Sequence, residues 1–107
     1  MQRVGQVIGI KPEHLERYIQ MHDECWPEVV AANNASNIHN YTIYLYNDLL
    51  FSYFEYTGDD YAADMEKLAA NPKVQEWWSH MIPMQQPVPE RQPGEHWHAL
   101  RAVFHQE

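Results

Sequence analysis

Two strand-like runs separated by a two-residue turn constrain the fold more than any other feature of this chain. Ile38 to Tyr46 and Leu49 to Thr57 are rich in β-branched and tyrosine residues, and Asn47-Asp48 lies between them. Asn and Asp tolerate the left-handed backbone of a tight hairpin, so the two runs predict antiparallel partners. Strand alternation puts His39, Tyr41, Ile43 and Leu45 on one face, and Leu49, Phe51, Tyr53 and Glu55 together on one face of the second strand. The pattern leaves open which face a helix covers.

What flanks the hairpin completes the architecture. Residues 3 to 10 (RVGQVIGI) are β-branched and bounded by Lys11-Pro12, which predicts a first strand whose Gly5 and Gly9 leave room on one face. Pro12-Glu13 opens a helical stretch in which Leu15, Tyr18, Ile19, His22, Trp26 and Val29 recur at three- and four-residue spacing. Pro27 lacks an amide hydrogen and crowds the turn before it, so this stretch should kink or restart around Trp26. Asn33 to Asn37 reads as a turn cluster.

After the hairpin, Gly58-Asp59-Asp60 supplies a turn and cap for a helix from about Tyr61 to Ala70, with Tyr61, Met65 and Leu68 inward. Asn71-Pro72 starts a second short helix carrying Val74, Trp77, Trp78 and Met81. Prolines 83, 87, 89 and 93 make an extended, stiff loop from Pro83 to Gly94, and His98 to His105 reads as a final strand. The order β-α-β-β-α-β is the ferredoxin-like α+β arrangement, with helices on one sheet face. The other face then needs a partner or ligand, and a homodimer closing two sheets into an α/β-barrel would cover it.

At 107 residues the chain is read as a single domain spanning positions 1–107. Fifteen acidic against seven Lys and Arg residues give a formal charge of -8, which repels phosphate backbones and anionic lipid and argues against nucleic-acid and membrane partners. The single Cys25 cannot form an internal disulfide and reads as a small core residue. Without an apolar leader or a run long enough to span a bilayer, the expected location is cytoplasmic.

The chemistry-bearing residues are aromatic and imidazole groups. His22 shares a helical face with Tyr18 and Trp26, where an imidazole is partly desolvated with a hydroxyl nearby. It reads either as a general acid/base or as a core histidine bonded to backbone. Tyr18 and Tyr41 can hydrogen-bond ligand hydroxyls or serve as core tyrosines with their hydroxyls at the surface. Adjacent helix residues diverge by about 100°, so only one ring of Trp77-Trp78 can face the core squarely. The other packs elsewhere or faces a cavity. His96 and His98 could be imagined as metal ligands with His80 or His105, but no carboxylate or cysteine stands at a familiar spacing, and no metal is assigned. Asp59-Asp60 reads as a helix cap. Glu55 is either a surface charge or a carboxylate that orients a histidine or a hydroxyl.

Taken in order, Tyr18, His22, Trp26-Pro27, His39-Asn40-Tyr41, Ile43-Tyr44-Leu45, Leu49-Leu50-Phe51, Trp77-Trp78 and Val103-Phe104 run over nearly the whole chain, and with them the sequence resembles the L-rhamnose mutarotase family. The resemblance implies a dimeric ferredoxin-like barrel that interconverts the α and β anomers of a 6-deoxy-L-sugar without metal or organic cofactor. It implies His22 as proton donor and Tyr18, Tyr41, Trp77 and Trp78 as sugar-binding residues. Two departures stand out. The segment ending Pro93-Gly94-Glu95-His96-Trp97 looks more like a branch associated with L-fucose, and Arg101-Ala102 stands where the family usually has a Glu before Val-Phe. Two other function classes fit the fold: a small monooxygenase or haem-binding protein, and a non-catalytic sugar-binding module.

Overall fold

Strand β1 (Gln2–Ile10) is the spine of a five-stranded antiparallel sheet. The computed structural model describes residues 1–107. One edge of β1 pairs with β3 (Leu49–Tyr56) from Gln2↔Tyr56 to Gly9↔Leu49, and β2 (Ile38–Tyr46) lies outside β3. The other edge of β1 is shared. Strand β4 (Gln85–Gln86) pairs with Gly9 and Ile10, while β5 (His98–Leu100) pairs with Gly5 to Val7.

Four helices complete the α+β fold: α1 (Leu15–Asp23), α2 (Pro27–Ala35), α3 (Tyr61–Ala70) and α4 (Pro72–Met81). The break between α1 and α2 falls where Pro27 predicts it. Trp26, preceding the proline, is extended (φ -63°, ψ 130°), and Pro27 begins α2 with an amide that needs no partner. Asp60 caps α3 by accepting from the Ala63 amide at 3.1 Å, and Asn71 caps α4 through Lys73 and Val74. No helix is long and apolar enough to cross a membrane.

Alternation along β3 decides the question that the sequence leaves open. Leu50, Ser52, Phe54 and Tyr56 are buried beneath the helices, and Leu49, Phe51, Tyr53 and Glu55 take the opposite, uncovered face. The core has two lobes on the helical side. One is built from Ile8, Ile10, Tyr18, Met21, Val29, Leu50, Trp77, Met81 and Met84, the other from Ala32, Ile38, Phe54, Leu68 and Val74.

Four expectations need correction. First, the stretch from Pro83 to Gly94 is not all loop, since Gln85 and Gln86 form β4 between its prolines. Second, His39 does not share a face with Tyr41. The β2–β3 register slips between His39 and Thr42, where Asn40 takes a positive φ of 52°, and this bulge pairs His39 with Glu55 while Ile43 and Leu45 stay opposite Ser52 and Leu50. Third, the Asn-rich cluster is not all turn: α2 runs on to Ala35, and only Asn37, at φ 63°, turns left-handed after the Ser36 cap. Fourth, the last strand stops at Leu100. Residues 101–107 leave the sheet, and Val103 and Phe104 stand 84% and 76% exposed. Strand propensity needs a surface to pack on, and no layer of this chain covers that face.

The expected room at Gly9 is real. A Cβ there would lie 2.5 Å from the carbonyl oxygen of Gln86 and 3.3 Å from its Cβ, so β4 can approach only a glycine. Gly9→Ala is expected to lower stability by about 1–3 kcal/mol, read as a drop in the thermal unfolding midpoint. An unchanged midpoint would show that β4 yields freely.

Candidate active site

The helical layer and the sheet do not close completely on each other. Between them lies a cavity of about 850 Å³, lined from all four helices, from β2 and from the start and end of the 85–97 segment. Its size and largely apolar wall with a few polar groups match a small-molecule site. Tyr18, His22, Tyr41, Trp77 and Trp78, five residues far apart in sequence, all line it.

Helix α1 supplies the centre of the wall. Tyr18 and His22 are one turn apart, with ring centroids 4.3 Å from each other and planes tilted by 31°. Nδ1 of His22 lies 2.8 Å from the carbonyl oxygen of Tyr18. A carbonyl only accepts, so Nδ1 carries the proton and the neutral ring keeps its lone pair on Nε2. Burial lowers the His22 pKa from its ordinary 6.5, against the smaller upward pulls of that carbonyl bond and of Asp23. At neutral pH the imidazole is therefore an uncharged base.

The tryptophans divide as the helical angle requires. Trp77 is buried, edge-on to His22 at 5.3 Å and to Trp26 at 5.2 Å, and fixes the imidazole plane from below. Trp78 keeps 37% of its surface accessible and lines the cavity wall. Tyr41, set inward by the β2 bulge, leans on Phe54 at 5.4 Å, and its accessible 42% opens onto the cavity. Burial raises the pKa of Tyr41, and the nearby Tyr18 and Tyr61 phenols add to the rise. Tyr18 is raised by burial too, partly offset by a hydrogen bond from Gln85. All these phenols hold their protons at neutral pH.

Of the other residues singled out in the sequence, Glu55 and His98 lie away from the cavity, while Cys25 and His96 also line it. Glu55 is on the uncovered sheet face, accepting from Asn40 Nδ2 and from the Tyr53 hydroxyl, both at 2.7 Å, and these bonds lower its pKa. It is tied to Asn40, the residue of the bulge. Cys25 is half-buried against the larger core lobe. His96 and His98 turn to different partners, Gln85 and Glu95.

Gln85 lines the cavity with no signal in the sequence, and His96 and Trp97, which the sequence marks only as a candidate metal ligand and as part of a departure from the family, line it too. Gln85 is a single buried amide in a proline-punctuated stretch, and only the odd Glu95-His96-Trp97 segment gave a signal. Glu95 pins the loop's return, accepting from the Gln92 amide at 2.7 Å, from His98 Nδ1 at 2.9 Å and from the Ala99 amide at 3.1 Å. Those bonds, the Gln92 amide foremost, pull its carboxyl down to about 2. The turn so formed presents His96 and Trp97 to the cavity.

The family model of L-rhamnose mutarotase matches residues 3–106. Curated relatives of that name include one from Listeria monocytogenes, 35% identical over 95 residues and covering 87% of this chain and 88% of the relative. Another, from Jannaschia, is 30% identical over 107 residues, with 98% of each chain covered. Among solved structures, the L-rhamnose mutarotase of Formosa agariphila superposes with a TM-score of 0.77 at 25% identity over the whole of both chains. Tetracenomycin F2 cyclase from Streptomyces glaucescens, at TM-score 0.69 and 15% identity over 100% of this chain and 97% of the other, shares the fold.

The imidazole geometry sets a measurable state. Two-bond ¹H–¹⁵N correlation spectra should find His22 as the Nδ1–H tautomer, titrating below 6.5. An Nε2–H tautomer, or a midpoint above that value, would contradict the reading of this site.

Proposed function

Since the chain belongs to the L-rhamnose mutarotase family, we propose that it interconverts the α and β anomers of L-rhamnose by acid/base ring opening, and that the cavity under α1 is where it does so. The stacking of a neutral, tautomer-fixed His22 on the Tyr18 ring in the cavity wall carries this reading. Mutarotation needs one proton removed from the anomeric hydroxyl and one delivered to the ring oxygen. His22 Nε2 takes the first proton, the Tyr18 hydroxyl delivers the second, and the C1–O5 bond breaks to leave an aldehyde and a free hydroxyl. The aldehyde turns about C1–C2 and the ring closes on its other face. The imidazolium then returns its proton to the new anomeric oxygen and the phenolate recovers its own.

In this scheme His22 is both acceptor and donor, in opposite halves of one cycle. Tyr41 hydrogen-bonds a sugar hydroxyl, and Trp78 lends its ring to the apolar side of the sugar, with buried Trp77 behind it. The chemistry asks for no metal or organic cofactor. L-fucose is the alternative substrate that the Glu95-His96-Trp97 turn brings into the comparison.

Saturation-transfer NMR of anomer exchange on L-rhamnose and L-fucose, with D-glucose as control, tests the activity directly. Exchange should accelerate for an L-sugar, and His22→Asn should slow it by roughly 10²–10⁴-fold while sugar binding persists. The neutral imidazole is the active form, so the rate is full above the His22 midpoint and falls as pH drops through it, below 6.5. A flat profile down to pH 5, or an active His22→Asn enzyme, would remove His22 from the mechanism.

The working unit we infer is a homodimer joined over the uncovered sheet face. Tyr44 and Tyr46 stand 65% and 67% exposed there, and the arm beyond Leu100 holds Val103 and Phe104 out into solvent. A second copy offers the same apolar surface and the same arm, as a two-fold interface requires. Sedimentation velocity should give a dimer for the native chain and a monomer for the double variant Val103→Asp, Phe104→Asp. A native monomer at micromolar concentration would refute the interface.

A further inference from the structure

We propose that Gln85 is a positioning residue that fixes the Tyr18 hydroxyl as a hydrogen-bond donor toward the ligand, and that His96 sets the direction of this chain of bonds. The inference deepens the mutarotase reading and rests on it for its meaning, though not for its geometry.

Gln85 Nε2 donates to the Tyr18 hydroxyl at 3.1 Å, and Gln85 Oε1 accepts from His96 Nε2 at 2.7 Å. Gln85 is 6% exposed and Tyr18 is 3%, so water has little access to the amide or the phenol to replace either bond. A hydroxyl has one proton and two lone pairs. With one lone pair taken by Gln85, the proton of Tyr18 is free, and the cavity is the space that the residue lines. The chain of donors then runs His96 to Gln85 to Tyr18 to ligand.

The same four atoms also support the reverse order. If His96 Nε2 were unprotonated, the amide would turn over, Tyr18 would donate to Gln85, and the ligand would meet only oxygen lone pairs. The imidazole decides between them. Its other nitrogen has no protein partner, so nothing draws the proton away from Nε2, which free neutral imidazole side chains favour in any case. The protonated ring donates there as well. Both states therefore give the same direction, and Tyr18 stays a donor.

The consequence is chemical. A phenol that only accepts cannot protonate a ring oxygen, whereas one that also receives an N–H bond can donate and have its developing negative charge stabilised. The chain's topology builds this arrangement: Gln85 pairs with Ile10 as the loop leaves the sheet, and His98 pairs with Val7 as it returns, which brings His96 back beside Gln85.

Two substitutions separate polarity from packing. Gln85→Glu keeps the shape and both bonds, but a carboxylate accepts from each side and draws the Tyr18 proton to itself. Gln85→Met keeps the volume and removes the bonds, leaving the hydroxyl free to turn. We expect kcat for anomer exchange to fall about 100-fold in Gln85→Glu and about tenfold in Gln85→Met, with KM changed much less. A merely structural role predicts the opposite order, with Glu close to native, and that order would overturn the proposal. The native protein supplies a test that needs no variant: two-bond ¹H–¹⁵N spectra should show His96 protonated at Nε2, and an Nδ1–H tautomer would overturn the assigned direction. A native enzyme that fails to accelerate exchange of any L-sugar would defeat the mutarotase reading instead, and the His96 spectrum would still decide the polarity.

Discussion

The shared edge of β1 is the constraint on which both fold and site depend. A strand has one hydrogen-bonding edge on each side, and β1 gives one wholly to β3 while dividing the other between two short strands, β4 at its end and β5 nearer its start. The segment between them has to leave the sheet after Gln86 and come back at His98, so its two ends stand almost side by side. Gln85 and His96 meet for that reason. Gly9 lets the outgoing strand close in on β1, and Glu95 holds the returning turn, so backbone pairing and one carboxylate deliver two polar side chains to the cavity from an otherwise irregular loop.

A second constraint works through α1. Its last turn carries His22 one turn after Tyr18, and the helix ends immediately beyond, because Pro27 forces the chain to restart in a new direction. The break leaves α2 free to pack on β2 and keeps the end of α1 over the cavity. The end of a helix favours a charged imidazole, through its dipole and its free carbonyls. Burial against Trp77 opposes this and prevails, so the ring remains neutral with its basic nitrogen available. Placement at a helix end fixes the tautomer, and placement in the apolar wall sets the charge.

Periodic features were legible in the sequence and pairwise ones were not. The hairpin, the two pairs of helices and the break at Trp26-Pro27 follow from turn residues and spacing, which act within a few residues of themselves. The cavity positions Tyr18, His22, Tyr41, Trp77 and Trp78 were found because aromatic and imidazole side chains on apolar faces are conspicuous. Strand alternation fails at His39 because it holds only until an extra residue enters, and although asparagine tolerates the left-handed backbone that Asn40 adopts, the residue type does not say whether it will bulge or simply pair. The strand expected to His105 ends at Leu100 because Val103-Phe104 has strand-like chemistry whose partner surface this chain alone does not provide. Gln85 stayed hidden because a glutamine acquires a role only from what stands opposite it, here a tyrosine and a histidine brought there by β1.

The spare volume beneath α1 bears on the same chemistry. Helices packed tightly on a sheet leave few voids, whereas the space beneath α1 stays open over about 850 Å³. The proposed anomer exchange gives a physical reason for it. After ring opening the aldehyde must turn about one bond before closure, and a cavity moulded tightly to a single anomer would bind that anomer and stop the turn. A stacked ring and two phenols can hold the part of the sugar that does not change, while the anomeric end swings between fixed groups. On the proposed mechanism, that motion returns the same proton to either face only if His22 and Tyr18 remain still while the substrate moves. The contacts of Trp77, Gln85 and His96 supply that stillness: an edge-packed ring behind the imidazole, and a buried amide behind the phenol.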